Sequence, residues 1–327
     1  MIGASKSKEC QLNIGSPQGE ILSPTIFIIL IADVGLWTNA TVYGYADDTT
    51  TTVSGNNLGK LTQKCEEEAS KLLTFMSANK LAANDDKTHI MCIRRRAEKG
   101  ELEIKVGNFS IKESTHEKLL GMWVDNNLSW TTQITNLERK LRHRLFNLRR
   151  LSEHIPTSLL RTVADGIFMS ILRYGLPVVC PVRIREEEPK HNSIDKIRVV
   201  FNDCLRLLTN HKRKEHVKIE DMLTQLGWLS INQLCAETRL NEAWKSEHLE
   251  NYCIGDMLIR REKSSHMNTR SNKQTTFKSG QHDKFTKGSF MQRTAEIWNQ
   301  APKGVKEATE LPQAKRAIRT FVKTLPI

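Results

Sequence analysis

The chain has 327 residues, a formal net charge of +12, 39% hydrophobic and 26% charged residues. That length allows two or three domains with a substantial core and excludes a disulfide-stapled miniprotein. Seven cysteines, an odd number with no Cys-x-x-Cys pair, exclude a disulfide framework and a zinc ribbon and suit a reduced intracellular compartment. The charge is asymmetric. Residues 1–128 hold 14 Lys+Arg against 16 Asp+Glu, net −2, and the remainder holds 35 against 21, net +14. A basic second part behind an acidic first part points to a polyanion, most simply nucleic acid.

Residues 1–13 are polar. Gly15-Ser16-Pro17-Gln18-Gly19 is a turn-rich loop in which Gly permits close backbone approach. Ser23-Pro24 should open a helix to about Leu36, with Ser as cap and Pro at its first position. It is apolar nearly all round, so burial is expected. Its most apolar run, Ile26 to Ala32, is too short to cross a bilayer, and no secretory signal opens the chain.

Next, Ala40–Ala46 and Thr49–Val53 are β-prone runs that flank Asp47-Asp48. The two carboxylates should sit at the tip of a tight strand–turn–strand. Held that close they repel unless a cation or proton intervenes. Hard oxygen ligands of this kind suit Mg²⁺, which takes one or two protein carboxylates and completes its shell with water and phosphate. Leu58, Leu61, Cys65, Ala69, Leu72 and Met76 then mark one face of an amphipathic helix, with Glu66, Glu67, Glu68 and Lys71 turned mostly to water. Lys80–Thr88 reads as a loop and Thr88–Ile93 as a strand. Leu102–Val106 and Phe109–Ile111 read as a hairpin turning at Gly107-Asn108, and Lys118–Val124 as a further strand. The pattern to this point is a sheet with helices on one side.

From Trp130 onward the pattern is helical. Ile134, Leu137, Leu141, Leu145, Leu148 and Leu151 form an apolar stripe, and Arg139, Lys140, Arg142, His143, Arg144, Arg149 and Arg150 fill much of the remaining surface. Such a basic amphipathic helix can lie along phosphates. Helices are expected over Thr157–Tyr174, Ser193–Thr209, Ile219–Leu226, Ile231–Leu249, Ser289–Trp298 and Pro312–Leu325. A polar, basic linker is expected over about 260–288.

The order of these pieces resembles a known family. Gly15-x-Pro17-Gln18-Gly19 with its following Leu-Ser-Pro helix precedes Tyr45-Ala46-Asp47-Asp48. An amphipathic helix then leads to Asn84-x-x-Lys87-Thr88, Leu120-Gly121-Met122 and Leu128-Ser129-Trp130. This is similar to the palm of a reverse transcriptase of non-LTR (LINE-type) retrotransposons. Leu172-Arg173-Tyr174-Gly175-Leu176-Pro177 and the closing Ile297-Trp298-Asn299-Gln300-Ala301-Pro302 resemble helical regions downstream in such elements.

The resemblance implies an α+β fold: a partial polymerase palm (antiparallel sheet with helices) over 1–128, a helical thumb-like region over 129–210 and a C-terminal helical region over 211–327. It implies RNA-directed DNA synthesis with Mg²⁺ (or Mn²⁺), an RNA template, a DNA primer and dNTPs. Asp47 and Asp48 are then the catalytic metal ligands and Lys87 a candidate proton donor to pyrophosphate. Gly15, Pro17, Gln18, Gly19 and Tyr45 would face template and nucleotide. Leu120, Gly121 and Met122 would form a ledge for the primer strand, and Arg139, Lys140, Arg142 and Arg144 would contact nucleic-acid backbone.

Two departures stand against activity. The family needs a further metal-binding Asp upstream of the Pro-Gln-Gly loop, and none of the first 14 residues is Asp. Glu20 also places a negative charge where nucleic acid should approach. The expectation is therefore a fragment with little activity alone, whose missing fingers and palm half a second chain could supply. A non-catalytic nucleic-acid binder, and a reading frame that never folds as a unit, are the competing expectations. A metal-dependent nuclease lacks a base and further ligands.

Overall fold

The fold is α+β, with helices dominating and strands confined to three hairpins; the computed structural model describes residues 19–94, 100–107, 109–188, 194–250, 252 and 290–327. The chain divides into two units, Met1–Glu117 and Lys118–Ile327. Among the described residues no helix is long and apolar enough to cross a membrane.

In the first unit, α1 (Ser23–Ala32) and α2 (Val34–Trp37) precede a hairpin of β1 (Thr41–Tyr45) and β2 (Asp48–Thr52). The long helix α3 (Leu58–Ala78) follows, capped by the Asn57 side chain, which accepts from the Gly59 and Lys60 amides. A single 3-10 turn, Asp85–Lys87, leads toward a second hairpin, β3 (Glu103–Val106) with β4 (Phe109–Lys112). Ile104 pairs with Ile111 and Val106 with Phe109, the two-residue turn expected from the sequence. A small core of Cys92, Leu102, Ile104 and Val106 packs against Leu58, Leu61, Cys65, Ala69 and Leu73, so the first four positions of the expected α3 face are core, while Leu73 takes the place expected for Leu72 and Phe75, not Met76, is buried in the last turn.

Several expectations change. Ser23 does not cap α1; Leu22 occupies that position and no side chain caps the helix. The helix holds no buried residue, and Ile26, Ile28 and Ile29 are all more than half exposed. The small core under α3 does not extend to α1, so its all-round apolarity finds no cover among the described residues. The expected strand Thr88–Ile93 is reduced to one isolated bridge, Ile90 with Glu113. The segment 118–124 is not one strand either. It is a hairpin of β5 (His116–Leu119) and β6 (Met122–Asp125), folded back at Leu120 (φ 47°) and Gly121 (φ 83°). Among the described residues, three separate two-stranded hairpins stand in place of one sheet.

A further change is Glu68. The helical period turns it toward water, yet it is buried, accepting hydrogen bonds from the Thr38 hydroxyl, the Asn39 amide (2.7 Å) and Lys71 (2.7 Å). The Lys71 and Thr38 bonds lead in holding its carboxyl down at about 2, against a burial penalty. Glu68 thus ties the start of β1 to α3.

The second unit has one continuous core. After β6 come α4 (Thr131–Leu151), α5 (Thr157–Ala164), a π-helical turn at Asp165–Met169, α6 (Ser170–Arg173) and α7 (Leu176–Val179). The expected helix over 157–174 is therefore present without a break to Arg173, with the π-helical turn inside it. Then follow α8 (Asp195–Thr209), α9 (Ile219–Leu226), α10 (Ile231–His248), α11 (Phe290–Gln300), α12 (Lys303–Lys306) and α13 (Leu311–Val322). Ile134, Leu137, Leu141, Leu145 and Leu148 of α4 are buried as the stripe predicted, whereas Leu151, the last residue of the expected stripe, is exposed at the helix end. Asn232 bonds the backbone of Arg183 and Pro326, and buried Arg239 donates to the carbonyls of Pro177 and Cys180, pinning the C-terminal helices to α7. The whole of the expected linker, about 260–288, lies outside the described residues.

Glu68→Ala should destabilise the first unit by about 2 kcal/mol, because it leaves buried donors unmade. The folded carboxyl lies below its ordinary value of 4.5, so its contribution is complete above about pH 4.5 and is lost as pH falls toward 2. Hydrogen exchange at the Asn39 amide, measured at pH 7 and pH 3, reads both effects.

Candidate nucleic-acid interface

The residues singled out in the sequence fall into two places. Those in the first unit centre on the β1–β2 hairpin. Tyr45 pairs with Asp48, leaving Ala46 and Asp47 as a two-residue turn. Ala46 adopts φ 52°, a left-handed conformation usually given to Gly or Asn. Tyr45, Asp47 and Asp48 are all exposed. Lys87 closes the 3-10 turn through its amide bond to Asn84 O (3.1 Å). No hydrogen bond or ion pair among the described residues joins Lys87 to either Asp. Gly19 has φ 91° with open space around it, whereas Gly15, Pro17 and Gln18 lie outside the described residues.

Asp47 and Asp48 are suitable donors for a hydrated divalent cation, since Mg²⁺ is satisfied by one or two carboxylates with water and phosphate oxygens. Among the described residues no group of three or more His, Cys, Asp or Glu could hold a metal. The pair fits such an ion as a two-carboxylate ledge, not as an all-protein cage.

In the second unit, the structure gathers residues that the sequence showed only separately. The β5–β6 turn is fixed by Tyr174, whose hydroxyl donates to Leu120 O. Met122 packs on Gly175, which has φ 77°. Gln133 of α4 accepts from the Trp123 amide (2.9 Å), joining β6 to the helix. Asp125 organises the connection by accepting from the amides of Asn127, Ser129 and Trp130 and from the Ser129 hydroxyl. Burial pushes the Asp125 carboxyl up, but the bonds from Ser129 and Trp130 outweigh it and hold it below the usual range. Leu128 (φ 52°) and Trp130 (φ 61°) are left-handed here, which gives the Leu-Ser-Trp motif a structural purpose: it turns the chain into α4.

The outcome is an open cleft of about 510 Å³ between the Gly121 turn, one face of α4 and the end of α6. Arg139, Lys140 and Arg144 line it with Gly121, and none of the three forms an ion pair with a described residue. Arg142 does not line it; its guanidinium is held by Glu138 one turn away (2.8 Å). Leu120 and Met122 flank the cleft without lining it. Asn136, His143 and Tyr174 do line it and were given no site role by the sequence. The i, i+3, i+4 spacing of Asn136, Lys140, His143 and Arg144 could have indicated the first two. Tyr174, 54 residues from the carbonyl it anchors, carried no local signal.

The face offers cations, an amide side chain and a side-chain-free backbone turn, which together suit a sugar–phosphate backbone. Residues 2–135 match the family model described as reverse transcriptase (RNA-dependent DNA polymerase). That match takes in the Asp47–Asp48 hairpin, Lys87, the Gly121 turn and the first residues of α4, and it supports a polymerase of reverse-transcriptase type for this segment. The family generally uses divalent metal ions and nucleic-acid substrates. Neither the curated proteins nor the solved structures compared contain a match to the chain.

A Cβ on Gly175 would stand 2.6 Å from Met122 Sδ at a backbone conformation unfavourable for L side chains. Gly175→Ala should therefore cost about 1–3 kcal/mol in chemical denaturation. Adding Met122→Ala should recover the steric part and leave the backbone part.

Proposed function

We propose that the chain is part of an RNA-directed DNA polymerase of the non-LTR (LINE-type) retrotransposon kind, and that its cleft in the second unit grips the backbone of a nucleic-acid strand. The observation that carries this reading is the convergence of the Gly121 turn with Arg139, Lys140 and Arg144 in one concave face. In this reading residues 1–128 are a partial palm, 129–210 a thumb-like region and 211–327 a C-terminal helical region. The Gly121 turn lets a strand approach the backbone closely, and Tyr174 keeps that turn from collapsing. The three cations neutralise successive phosphates, and binding releases their counterions.

Asp47 and Asp48 would hold Mg²⁺ or Mn²⁺ at the hairpin tip. When bound, the metal would neutralise charge on the transferring phosphates. Tyr45, exposed beside the pair, offers an aromatic face to the primer end or nucleotide, and Lys87 remains the candidate proton donor. Gly15, Pro17, Gln18 and Gly19 form the proposed template-facing loop. Template RNA, primer DNA and dNTPs are the implied partners.

A second reading, nucleic-acid binding without catalysis, is favoured by the carboxylate count. Asp47 and Asp48 have no third acid beside them among the described residues. The proposal is accordingly that this chain by itself extends primers weakly or not at all.

Primer extension on an RNA template with dNTPs and Mg²⁺ should give no processive product from the chain alone. Product that disappears in Asp47→Asn would overturn that expectation. Separately, affinity for an RNA–DNA duplex should fall with salt. Replacing Arg139, Lys140 and Arg144 together by Gln should flatten the slope of log K against log salt by about 2–3. An unchanged slope would remove the cleft from the interface.

A further inference from the structure

We infer that the second unit carries another anion site, a phosphate seat in the loop between α8 and α9, separate from the Gly121 cleft. A depression of about 270 Å³ opens there, lined by Arg206, His211, Lys212, Arg213, His216 and Lys218 over a small apolar floor that includes Ile219 and Met222. At about 30 Å³ per water it has room for a tetrahedral anion with part of its hydration shell. No residue of this lining belongs to the Gly121 cleft, and no carboxylate is part of it.

The loop is held in place before any ligand arrives. Asp203 takes both ends of a fork from Arg213 Nη2 (2.7 and 2.8 Å) and a bond from Arg206 (3.3 Å). His211 meets Glu215 (2.9 Å), and the His211 amide closes onto Arg206 O (2.9 Å). Asn210 (φ 58°) and His216 (φ 51°) reverse the chain at either end. Asp203 and Glu215 are thus committed to framing the loop. Lys212, His216 and Lys218 form no ion pair with a described residue, although the depression is their common surface. A concentration of cations at a concave, braced loop costs repulsion that an incoming anion relieves.

The chemistry named is a phosphate group, from either of two sources: the phosphodiester backbone of a nucleic-acid strand, or free phosphate. This extends the interface beyond the α4 cleft without relying on that cleft or on polymerase activity. The test follows the His211 and His216 ring signals of the full chain by NMR, titrated with inorganic phosphate and, separately, with a 12-nucleotide RNA against matched chloride. Saturable shifts in both titrations support a seat open to free phosphate. Shifts with RNA alone support a seat for the phosphodiester. No shift in either overturns the proposal. Lys212→Gln/Lys218→Gln should weaken whichever titration saturates by at least about fivefold, since two charge-assisted contacts are lost. Unchanged saturation in that variant also overturns it. Arg139→Gln/Arg144→Gln should leave the inorganic phosphate response intact, so failure of the cleft reading, seen as unchanged RNA affinity, is distinct from failure of the seat. Loss of that phosphate response in the folded cleft variant would refute the separateness claimed.

Discussion

The second unit depends on one constraint: α4 must bury Ile134, Leu137, Leu141, Leu145 and Leu148 along a single stripe. Leu141 and Leu148 are fully shielded, and the core they enter continues through α8 and α10 to α13. A helix with one face committed has no freedom in where its other residues point. Arg139, two residues from both Leu137 and Leu141, and Lys140, beside Leu141, fall off that stripe and must then face outward. The cationic surface is a consequence of the core, held rigid by the same packing.

That surface becomes a cleft because of what precedes α4. Between β6 and the helix, a chain with Leu128 and Trp130 both left-handed is unfavourable unless something repays it. Asp125 does so by gathering the amides of Asn127, Ser129 and Trp130. Gln133 then reaches back to the Trp123 amide. The Gly121 turn is thereby placed beside the cationic face, and the Tyr174 hydroxyl holds it open from a third element. Core, loop and turn are one mechanical unit, and a change in Asp125 or Gly175 would reach the cleft without touching a lining cation.

What the sequence disclosed depended on the range of each interaction. The α4 stripe from Ile134 to Leu148, the Val106–Phe109 turn and the bounds of α9 follow from periodicity and turn chemistry within a few residues, and they are present as read. Misreadings arose where a distant partner decides. Glu68 lies on the polar side of its helix by period, but Thr38 and Asn39, some thirty residues away, draw it inside. Residues 118–124 have strand-forming composition, yet Gly121 permits a reversal that Tyr174 anchors from another helix. Helix α1 was judged by apolarity alone, and apolarity says a face seeks cover without saying that cover is present. The same rule explains the site. Arg139, Lys140, Arg144 and Gly121 could each be named in the sequence, whereas their meeting in one cleft, and the exclusion of Arg142 by Glu138, required three dimensions.

The β1–β2 hairpin poses the reverse problem, because there the local chemistry is the anomaly. A solvated two-residue turn is cheapest with Gly or Asn where φ is positive, and Ala46 occupies that position at φ 52°. Left-handed backbone at a residue bearing a Cβ costs on the order of 1 kcal/mol. The turn also places two acids next to each other in sequence at an exposed tip. Neither feature helps the hairpin fold. Both are reasonable in a turn whose task is to present Asp47 and Asp48 to something positive, and a local cost at a charged, exposed turn is where strain marks function. The argument holds for the hairpin alone. It favours cation binding as the origin of the pair while leaving turnover to whatever supplies the remaining ligands.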